Sequence, residues 1–311
     1  DIVWSTANTF VASTNCAIHC GAKVDFIDID PKTNNMSLID LKEKLKNTKK
    51  NRLPKILISV HFAGLIINQK EIWKLAKKYG FSVIEDCCHA LGASRDNEKA
   101  GSCKYSDISV FSFHPVKAMT TGEGGMATTN KKDLNDKMVL INNHGINRNK
   151  KKFKYKNNFD LYYEQSLLGY NFRLTDIQSA LGLSQLKKLR SFILTRNKLA
   201  KRYDEAFKKI SIQIPKSEKK NIHAYHLYVI KLNSINQRNG LYKFLLKNKI
   251  KCNLHYVPIY KHPFYEKIIK KKIILSETEK YYQTSLSIPL YVSLGIKTQD
   301  KIISLIRKYI N

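Results

Sequence analysis

The sequence predicts an α/β protein with a mostly parallel sheet flanked by helices, followed by a smaller α+β unit. In the first half, short apolar stretches alternate with amphipathic ones, which is the pattern of βαβ units and of a parallel sheet. In the second half, one long helical pattern precedes shorter strand-like and helix-like stretches. We therefore expect a large domain over residues 1–175, then a long linking helix and a small C-terminal domain over residues 176–311.

Apolar residues indicate the strands of the first half. The stretch 56–60 is continuously apolar, which suits a strand buried on both faces. The predicted strands are 2–4, 24–29, 56–60, 81–84 and 108–113.

Capping and periodicity indicate the helices between these strands. Ser37 and Asp40 have the spacing of a capping box and predict a short helix through Leu45. Residues 69–79 place apolar side chains at i, i+3, i+4 and i+7 and end before Gly80. A small-residue helix is expected over 11–20.

The second half begins after a polar, Asn/Lys-rich stretch over 131–163, which we expect to be a long connection. Thr175 and Gln178 form a second capping box, which predicts a long helix reaching towards Phe207. After a polar gap at 215–221, we predict strands at 226–232 and 252–257 and helices at 240–249 and 298–310.

The composition is that of a soluble globular protein, with 43% hydrophobic and 26% charged residues. No apolar run is long enough to span a membrane. The six cysteines show no paired framework, which favours reduced thiols and a cytoplasmic protein. Cys16 and Cys20 could share one helix face, but without a second pair we expect no metal site.

The net charge is +30, from 55 basic and 25 acidic residues. Such an excess suits nucleic acid, a membrane surface or an acidic small molecule. The lysines are spread along the whole chain, however, and no nucleic-acid-binding motif accompanies them. We therefore expect a solvated basic surface, no nucleic-acid or membrane partner, and a good environment for a phosphate-bearing substrate.

Polar side chains follow two of the predicted strands, where an open α/β sheet binds its ligands. Asp86 and His89 follow the strand at 81–84, and Ser112 and Lys117 follow the strand at 108–111. An acid, a hydroxyl and a lysine at neighbouring strand ends are the groups that pyridoxal 5′-phosphate (PLP) needs: an imine partner, a carboxylate for the ring nitrogen and donors for the phosphate. By residue type alone, a surface lysine and a turn aspartate remain open alternatives.

Three segments carry a more specific signal: EDCCHALG (85–92), FSFHPVKAMTTGEGG (111–125) and GYNFRLTDIQSALGLSQL (169–186). They resemble the DegT/DnrJ/StrS family of sugar aminotransferases, over almost the whole chain and in the family's order. The resemblance implies PLP as cofactor and the aspartate-aminotransferase-like fold, PLP fold type I.

The resemblance also implies site residues. Lys117 matches the lysine that forms the Schiff base with PLP, and Asp86 matches the partner of the ring nitrogen. Ser112 would bind the phosphate, Phe10 would stack on the ring, and His89 would lie near the phenolic oxygen of the ring. A core phenylalanine and a hydrogen-bonded structural histidine are the alternatives for Phe10 and His89.

Asn171 matches a residue that reaches the cofactor phosphate of a second subunit, which implies a homodimer with a shared active site. YYEQSLLGYNFRLTDIQ (162–178) and LHYVPIYKHPFY (254–265) resemble, more narrowly, the members that serve pseudaminic acid synthesis. These aminate a UDP-linked 4-keto-6-deoxy-N-acetylhexosamine with L-glutamate in a ping-pong reaction. His255 and Tyr256 would then face the substrate, with packing as the alternative role for the tyrosine.

The chain departs from the family pattern at its beginning. It starts at the strand that should follow the family's N-terminal helix and phosphate-binding Ser-Gly-Thr-Ala segment, so we expect a fragment, a truncated gene product or an open reading frame begun late. Three alternatives stay open. One is a sister aminotransferase for another keto-hexose; the second, suggested by the missing segment, is a truncated, PLP-free and non-catalytic homologue; the third, suggested only by the +30 charge, is a nucleic-acid binder. The sugar dehydratases of the same fold carry histidine in place of the lysine, and Lys117 argues against them.

Overall fold

The computed structural model describes residues 1–157, 159–215 and 221–310. The strands are β1 (Ile2–Thr6), β2 (Lys23–Ile27), β3 (Ile56–Val60), β4 (Ser82–Asp86), β5 (Ser94–Arg95), β6 (Glu98–Lys99), β7 (Ile108–Ser112), β8 (Gly125–Thr128), β9 (Ile146–Asn147), β10 (Glu164–Gln165), β11 (Tyr228–Lys231) and β12 (Ser285–Ile288). The helices are α1 (Ala12–His19), α2 (Leu38–Asn47), α3 (Gln69–Tyr79), α4 (Lys132–Asn142), α5 (Asp176–Phe207), α6 (Ile235–Lys247), α7 (Pro263–Ile268), α8 (Ser276–Thr284) and α9 (Ile296–Ile310).

The central sheet has the strand order β2, β1, β3, β4, β7, β8. Every neighbouring pair is parallel except β7 and β8. The prediction of a mostly parallel sheet flanked by helices is therefore confirmed. Because β1, β3, β4 and β7 run in the same direction, the residues that follow them meet at one edge of the sheet.

Local capping explains the helices whose bounds were predicted best. The side chains of Ser37, Asn68 and Thr175 accept hydrogen bonds from the third backbone amides of α2, α3 and α5. Thr175 and Gln178 form the complete reciprocal capping box. Gly80 ends α3 in the left-handed conformation, at a φ of 76°.

Two predictions from the pattern of residues are wrong. The stretch 131–163 is not a continuous connection, because it contains α4. None of the side chains of α4 is buried, so no apolar stripe marks this helix in the sequence. The stretch 252–257 is not a strand; within it, Asn253 forms one isolated bridge with Ser287. Most of the predicted polar gap at 215–221 lies outside the described residues.

Elements that the sequence pattern did not reveal include β8, α7, α8 and β12, and the two-residue strands β5, β6, β9 and β10. β8 starts at Gly125, directly after a glycine-rich turn, and α8 passes into β12 without a linker. The junction between α8 and β12 carries no separate turn signal, whereas glycines mark the start of β8.

Buried apolar residues form several clusters. One packs against the sheet and includes Trp4, Leu57 and Val83. Another lies in the C-terminal part, where the second half of α5 meets α6, α9, β11 and β12 around Tyr203 and Tyr228. Ile259 and Tyr265 come late in the chain but pack on the sheet side. The domain boundary after residue 175 stays a prediction.

Two observations concern the predicted location of the protein: its helices and its cysteines. No helix among the described residues is both long and apolar enough to cross a membrane. All six cysteines are free, and two of them, Cys16 and Cys20, are exposed on or next to α1.

Candidate active site

Asp86 closes β4, and its carboxylate is held by two donors. The backbone amide of Cys88 donates to Oδ1 at 3.1 Å, and the hydroxyl of Ser13 donates to Oδ2 at 2.7 Å. Ser13 lies on α1, which follows β1, so a βα unit whose strand lies two positions away from β4 in the sheet orients this acid. The carboxylate is half-buried and its direction is set by the protein.

Lys117 lies in the turn that follows β7, where its backbone amide donates to the carbonyl of His114 at 2.9 Å. Burial lowers the pKa of its ammonium, against the opposing influence of Cys88 and Asp86. Burial also lowers the pKa of Lys44 and Lys231. Those two have other partners: Lys44 pairs with Asp25, and Lys231 donates to Asn34 and Pro31. Among these three lysines with a pKa lowered by burial, Lys117 is the one that lies next to Asp86.

His89 and Tyr256 form a hydrogen-bonded pair near Asp86 and Lys117. The Tyr256 hydroxyl lies 3.0 Å from Nε2 of His89, and the backbone amide of Ala63 donates to Nδ1 of His89 at 3.3 Å. Burial holds the pKa of His89 well below its usual value, and electrostatic interactions with His226 and Lys117 act in the same direction. Burial raises the pKa of Tyr256, as does the Asp86 carboxylate.

Phe10 provides an aromatic face beside this pair. Its side chain is 57% exposed, which leaves the ring available to a ligand. Its centroid lies 6.0 Å from that of Tyr256. The exposure excludes the alternative of a core phenylalanine within the described chain.

His255 precedes Tyr256 and is fixed by the C-terminal part of the chain. Its Nδ1 lies 2.9 Å from the Ser287 hydroxyl, and its carbonyl accepts from the Tyr281 hydroxyl at 2.7 Å. Burial lowers its pKa to about 4, with a further contribution from the charge of Lys117. His255 is therefore neutral at physiological pH, near the lysine.

Ser112 ends β7 and pairs in register with Gly125 of β8. Its hydroxyl accepts from the backbone amide of His114 at 3.3 Å. The same turn carries Thr120, whose hydroxyl accepts from the amide of Gly122 at 2.9 Å. Hydroxyls and backbone amides are thus concentrated after β7, which suits a phosphate.

Asn171 lies apart from these groups. It forms an isolated bridge with Asn143 at the end of α4, and its side-chain oxygen accepts from Nε of Arg173 at 2.7 Å. No hydrogen bond joins it to the residues around Lys117 in the described part of the chain. The side chain is exposed.

Several residues of this neighbourhood were not predicted from the sequence. Ser13, Ala63 and His226 come from separate parts of the chain and reach Asp86 and His89 only through the fold. For Ser13 a signal existed, because α1 follows the end of β1 and its first turn must lie near the other strand ends. For Ala63 and His226 we find no such signal.

A second polar cluster consists of His61, Glu85 and Cys87, which are buried at the ends of β3 and β4. The backbone amide of Ile67 donates to Nδ1 of His61 at 3.4 Å, so Nε2 carries the proton and donates to Glu85 at 2.8 Å. Burial pushes the pKa of Glu85 up, but bonds from His61 and two serines outweigh it and lower the pKa. This arrangement is a structural pair, because a metal ion would need the Nε2 lone pair.

The DegT/DnrJ/EryC1/StrS aminotransferase family matches residues 1–307. A relative from Campylobacter jejuni serotype O:2, UDP-4-amino-4,6-dideoxy-N-acetyl-beta-L-altrosamine transaminase, is 36% identical over 99% of this chain and 80% of its own. The solved structure of Helicobacter pylori PseC, an aminotransferase involved in the biosynthesis of pseudoaminic acid, has a TM-score of 0.89 at 31% identity, covering 99% of this chain and 79% of that one.

The chain belongs to the DegT/DnrJ/EryC1/StrS aminotransferase family. It is a sugar aminotransferase, and its cofactor is PLP. A second solved structure, a family aminotransferase from Brucella abortus, has a TM-score of 0.87 at 28% identity and covers 100% of this chain and 79% of that one. These structures confirm the predicted PLP fold type I.

The residues around Lys117 fit the cofactor. A lysine whose amine is favoured in its neutral form can make an imine, and a fixed carboxylate can pair with a ring nitrogen. Phe10 offers an open aromatic face, and the turn after β7 offers hydroxyls and amides. An imine partner, a carboxylate, an aromatic face and hydroxyl groups are thus present at this sheet edge.

Proposed function

We propose that this aminotransferase transfers the amino group of L-glutamate to a UDP-linked 4-keto-6-deoxy-N-acetylhexosamine, in pseudaminic acid biosynthesis. One observation carries the choice of substrate. Relatives named UDP-4-amino-4,6-dideoxy-N-acetyl-beta-L-altrosamine transaminase are 36% and 33% identical to this chain, over 99% and 96% of its length. GDP-perosamine synthases are 28% and 30% identical over 97% and 92%.

In this proposal PLP, when bound, supplies the electron sink that makes the amino-transfer steps possible. Lys117 would hold it covalently and, once released, would act as the base that takes a proton from the α-carbon of glutamate and as the acid that gives a proton back in the same half-reaction. Its lowered pKa favours the neutral amine that both roles require. Asp86 keeps the ring nitrogen protonated, Phe10 stacks on the ring, and Ser112 binds the phosphate.

A second candidate is a sister enzyme that acts on another nucleotide-linked keto-hexose. The similarity to GDP-perosamine synthases favours this alternative, because such relatives share the chemistry and differ in the sugar. The two candidates have the same half-reaction with glutamate and differ in the second half-reaction.

The experiment separates the two half-reactions. The PLP-loaded protein is mixed with L-glutamate, and its absorbance spectrum is expected to change as the amino group is taken up. The aminated protein is then mixed with UDP-linked or GDP-linked 4-keto-6-deoxy sugars, and the products are identified by mass spectrometry. Amination of the UDP-sugar alone supports the proposal, and preference for the GDP-sugar replaces it with the second candidate. No spectral response to glutamate would contradict transamination itself.

We further propose that the enzyme is a homodimer whose subunits complete each other's active site. Large apolar side chains are exposed before and along the first half of α5, where a monomer would leave them in water. They include Leu168 at 90%, Phe172 at 66%, Ile177 at 84% and Leu183 at 63%. A two-fold interface would cover this surface in both copies. Asn171 lies within it and would serve the partner's cofactor phosphate.

Mixing of two inactive variants tests the shared site. Lys117→Ala and Asn171→Ala chains, refolded together in equal amounts, should regain up to about a quarter of wild-type activity, since about half of the dimers are mixed and each mixed dimer contains one intact composite site. Asp86→Asn serves as the control partner for Lys117→Ala, because both residues belong to the same subunit's site and no mixed dimer of these two chains contains an intact one. A lack of recovery despite demonstrated subunit exchange and two inactive parents would rule out the shared site.

The cytoplasm is the compartment that we propose for the enzyme. The six free cysteines support this location, because a reducing compartment keeps thiols unpaired.

A further inference from the structure

A chain of hydrogen bonds leads from the backbone of the β3–α3 connection into the active site. The Ala63 amide donates to Nδ1 of His89, and Nε2 of His89 lies 3.0 Å from the Tyr256 hydroxyl. The three residues come from three different parts of the chain. The direction of the second hydrogen bond depends on the position of the imidazole proton.

The Ala63 amide decides that position. An N–H group can only donate, so Nδ1 of His89 must present its lone pair. A neutral imidazole has one ring proton, which is then on Nε2. Burial keeps the ring neutral, because the side chain is 6% exposed and its pKa is well below the usual value. Nε2–H therefore donates to the Tyr256 oxygen, and the hydroxyl hydrogen of Tyr256 must point elsewhere.

Neighbouring rings fix the plane of the imidazole. The centroid of the His226 ring lies 4.2 Å from that of His89, and the centroid of the Phe62 ring lies 6.0 Å from it. Close rings oppose a flip that would exchange the two nitrogens. The fold therefore fixes which ring nitrogen faces the Ala63 amide, and the tautomer follows from that orientation.

The donating amide is fixed as well. Ala63 has a φ of 58°, in the left-handed region that a residue with a side chain rarely adopts. Two bonds from the C-terminal part hold it there: the Leu227 amide donates to the Ala63 carbonyl at 3.4 Å, and the Ala224 amide donates to the Gly64 carbonyl at 2.9 Å. A Cβ on Gly64 would meet the His89 carbonyl at 2.8 Å, which shows how closely the loop approaches.

We propose that Tyr256 is a hydrogen-bond donor to a substrate oxygen and that His89 is the positioning residue that aims it. The proposal rests on the aminotransferase function above. Among the described residues, the Tyr256 hydroxyl hydrogen has no acceptor in the protein, and the Tyr256 ring lies beside the exposed Phe10. The acceptor is a carbonyl, hydroxyl or carboxylate oxygen, which both the keto-sugar and glutamate provide. Donors fixed before the substrate arrives need no reorganisation during the reaction.

The tautomer is tested without any turnover. In protein labelled with nitrogen-15 at histidine, long-range proton–nitrogen spectra distinguish a protonated from an unprotonated ring nitrogen. The His89 signals, assigned by their loss in His89→Gln, should show a protonated Nε2 and an unprotonated Nδ1 at neutral pH. His223 is an internal reference, because its Nδ1 accepts from the Tyr225 amide at 2.8 Å. A protonated Nδ1 on His89 would overturn the proposal.

The donor role is tested in each half-reaction separately. Tyr256→Phe, which removes only the hydroxyl, should slow at least one half-reaction by about tenfold or more. A loss with glutamate alone assigns the acceptor to the amino donor, and a loss with the keto-sugar alone assigns it to the sugar. Normal rates in both would overturn the donor role, whereas failure of the wild-type protein to react would count against the proposed function instead.

A double-mutant cycle tests whether His89 acts through Tyr256. His89→Leu should slow the same half-reaction, and Tyr256→Phe in that background should add less than about twofold, because the hydroxyl is no longer aimed. His89→Gln, whose amide can still donate to the tyrosine, should recover part of the rate. Near-ultraviolet circular dichroism confirms that each variant is folded. Full, independent losses from the two substitutions would show that His89 does not position Tyr256.

Discussion

Replacement of Lys117 by alanine is expected to lower transamination by at least about 10³-fold, because the side chain that moves the proton is lost. The same substitution should abolish the covalent link between PLP and the protein. The structure supports the choice of this lysine through its place after β7, its closeness to Asp86 and the lowered pKa of its ammonium. Borohydride reduction of the PLP-loaded protein, followed by peptide mass spectrometry, should find the label on Lys117.

The matched control is Lys231→Ala. Burial lowers the pKa of Lys231 too, so this lysine shares the property that favours an imine but lies against Pro31 and Asn34, away from Asp86. Lys231→Ala should keep both the label and the activity. A label that persists on another lysine in Lys117→Ala would refute the assignment, whatever the remaining activity.

The fold could be predicted best where local chemistry and tertiary packing agree. The bounds of α3 were predicted from its apolar periodicity and from Gly80, and the structure agrees because Ile72 and Ala76 are buried and Asn68 caps the first turn. The bounds of α5 were predicted from the Thr175 capping box. By contrast, α4 has no buried side chain within this chain, and no capping side chain bonds to its first turn. The sequence of α4 therefore lacks both the apolar stripe and the capping residue from which a helix can be predicted.

The site was predictable to the extent that it follows the strand ends. Asp86 and Ser112 end β4 and β7, which are neighbours in the sheet, so their closeness follows from the βαβ pattern. The hydrogen bond between His89 and Tyr256 joins residues 167 positions apart and depends on how the C-terminal part folds back. No local pattern encodes such a contact. The roles came from resemblance, because residue types alone leave Lys117 open to interpretation as a surface lysine.

Asp86→Asn should separate cofactor binding from catalysis. The asparagine side chain has the same shape, and its oxygen can still accept from the Cys88 amide. Ser13 can turn its hydroxyl hydrogen towards Thr9, whose oxygen lies 2.8 Å from its own, and accept from the new amide. The hydrogen-bond network is thus preserved while the negative charge is removed, so the fold and PLP binding should persist.

Catalysis should not persist, because a neutral amide no longer favours the protonated ring nitrogen that makes PLP an electron sink. We expect the half-reaction with glutamate to slow by about 10²-fold to 10³-fold in Asp86→Asn, measured by stopped-flow absorbance, with PLP affinity measured in parallel. Ser13→Ala is the matched control: it keeps the charge, removes one hydrogen bond to the carboxylate and should slow the reaction by no more than about tenfold. If Asp86→Asn reacted at a near-normal rate, the carboxylate would have a structural role and the electron-sink role would be excluded.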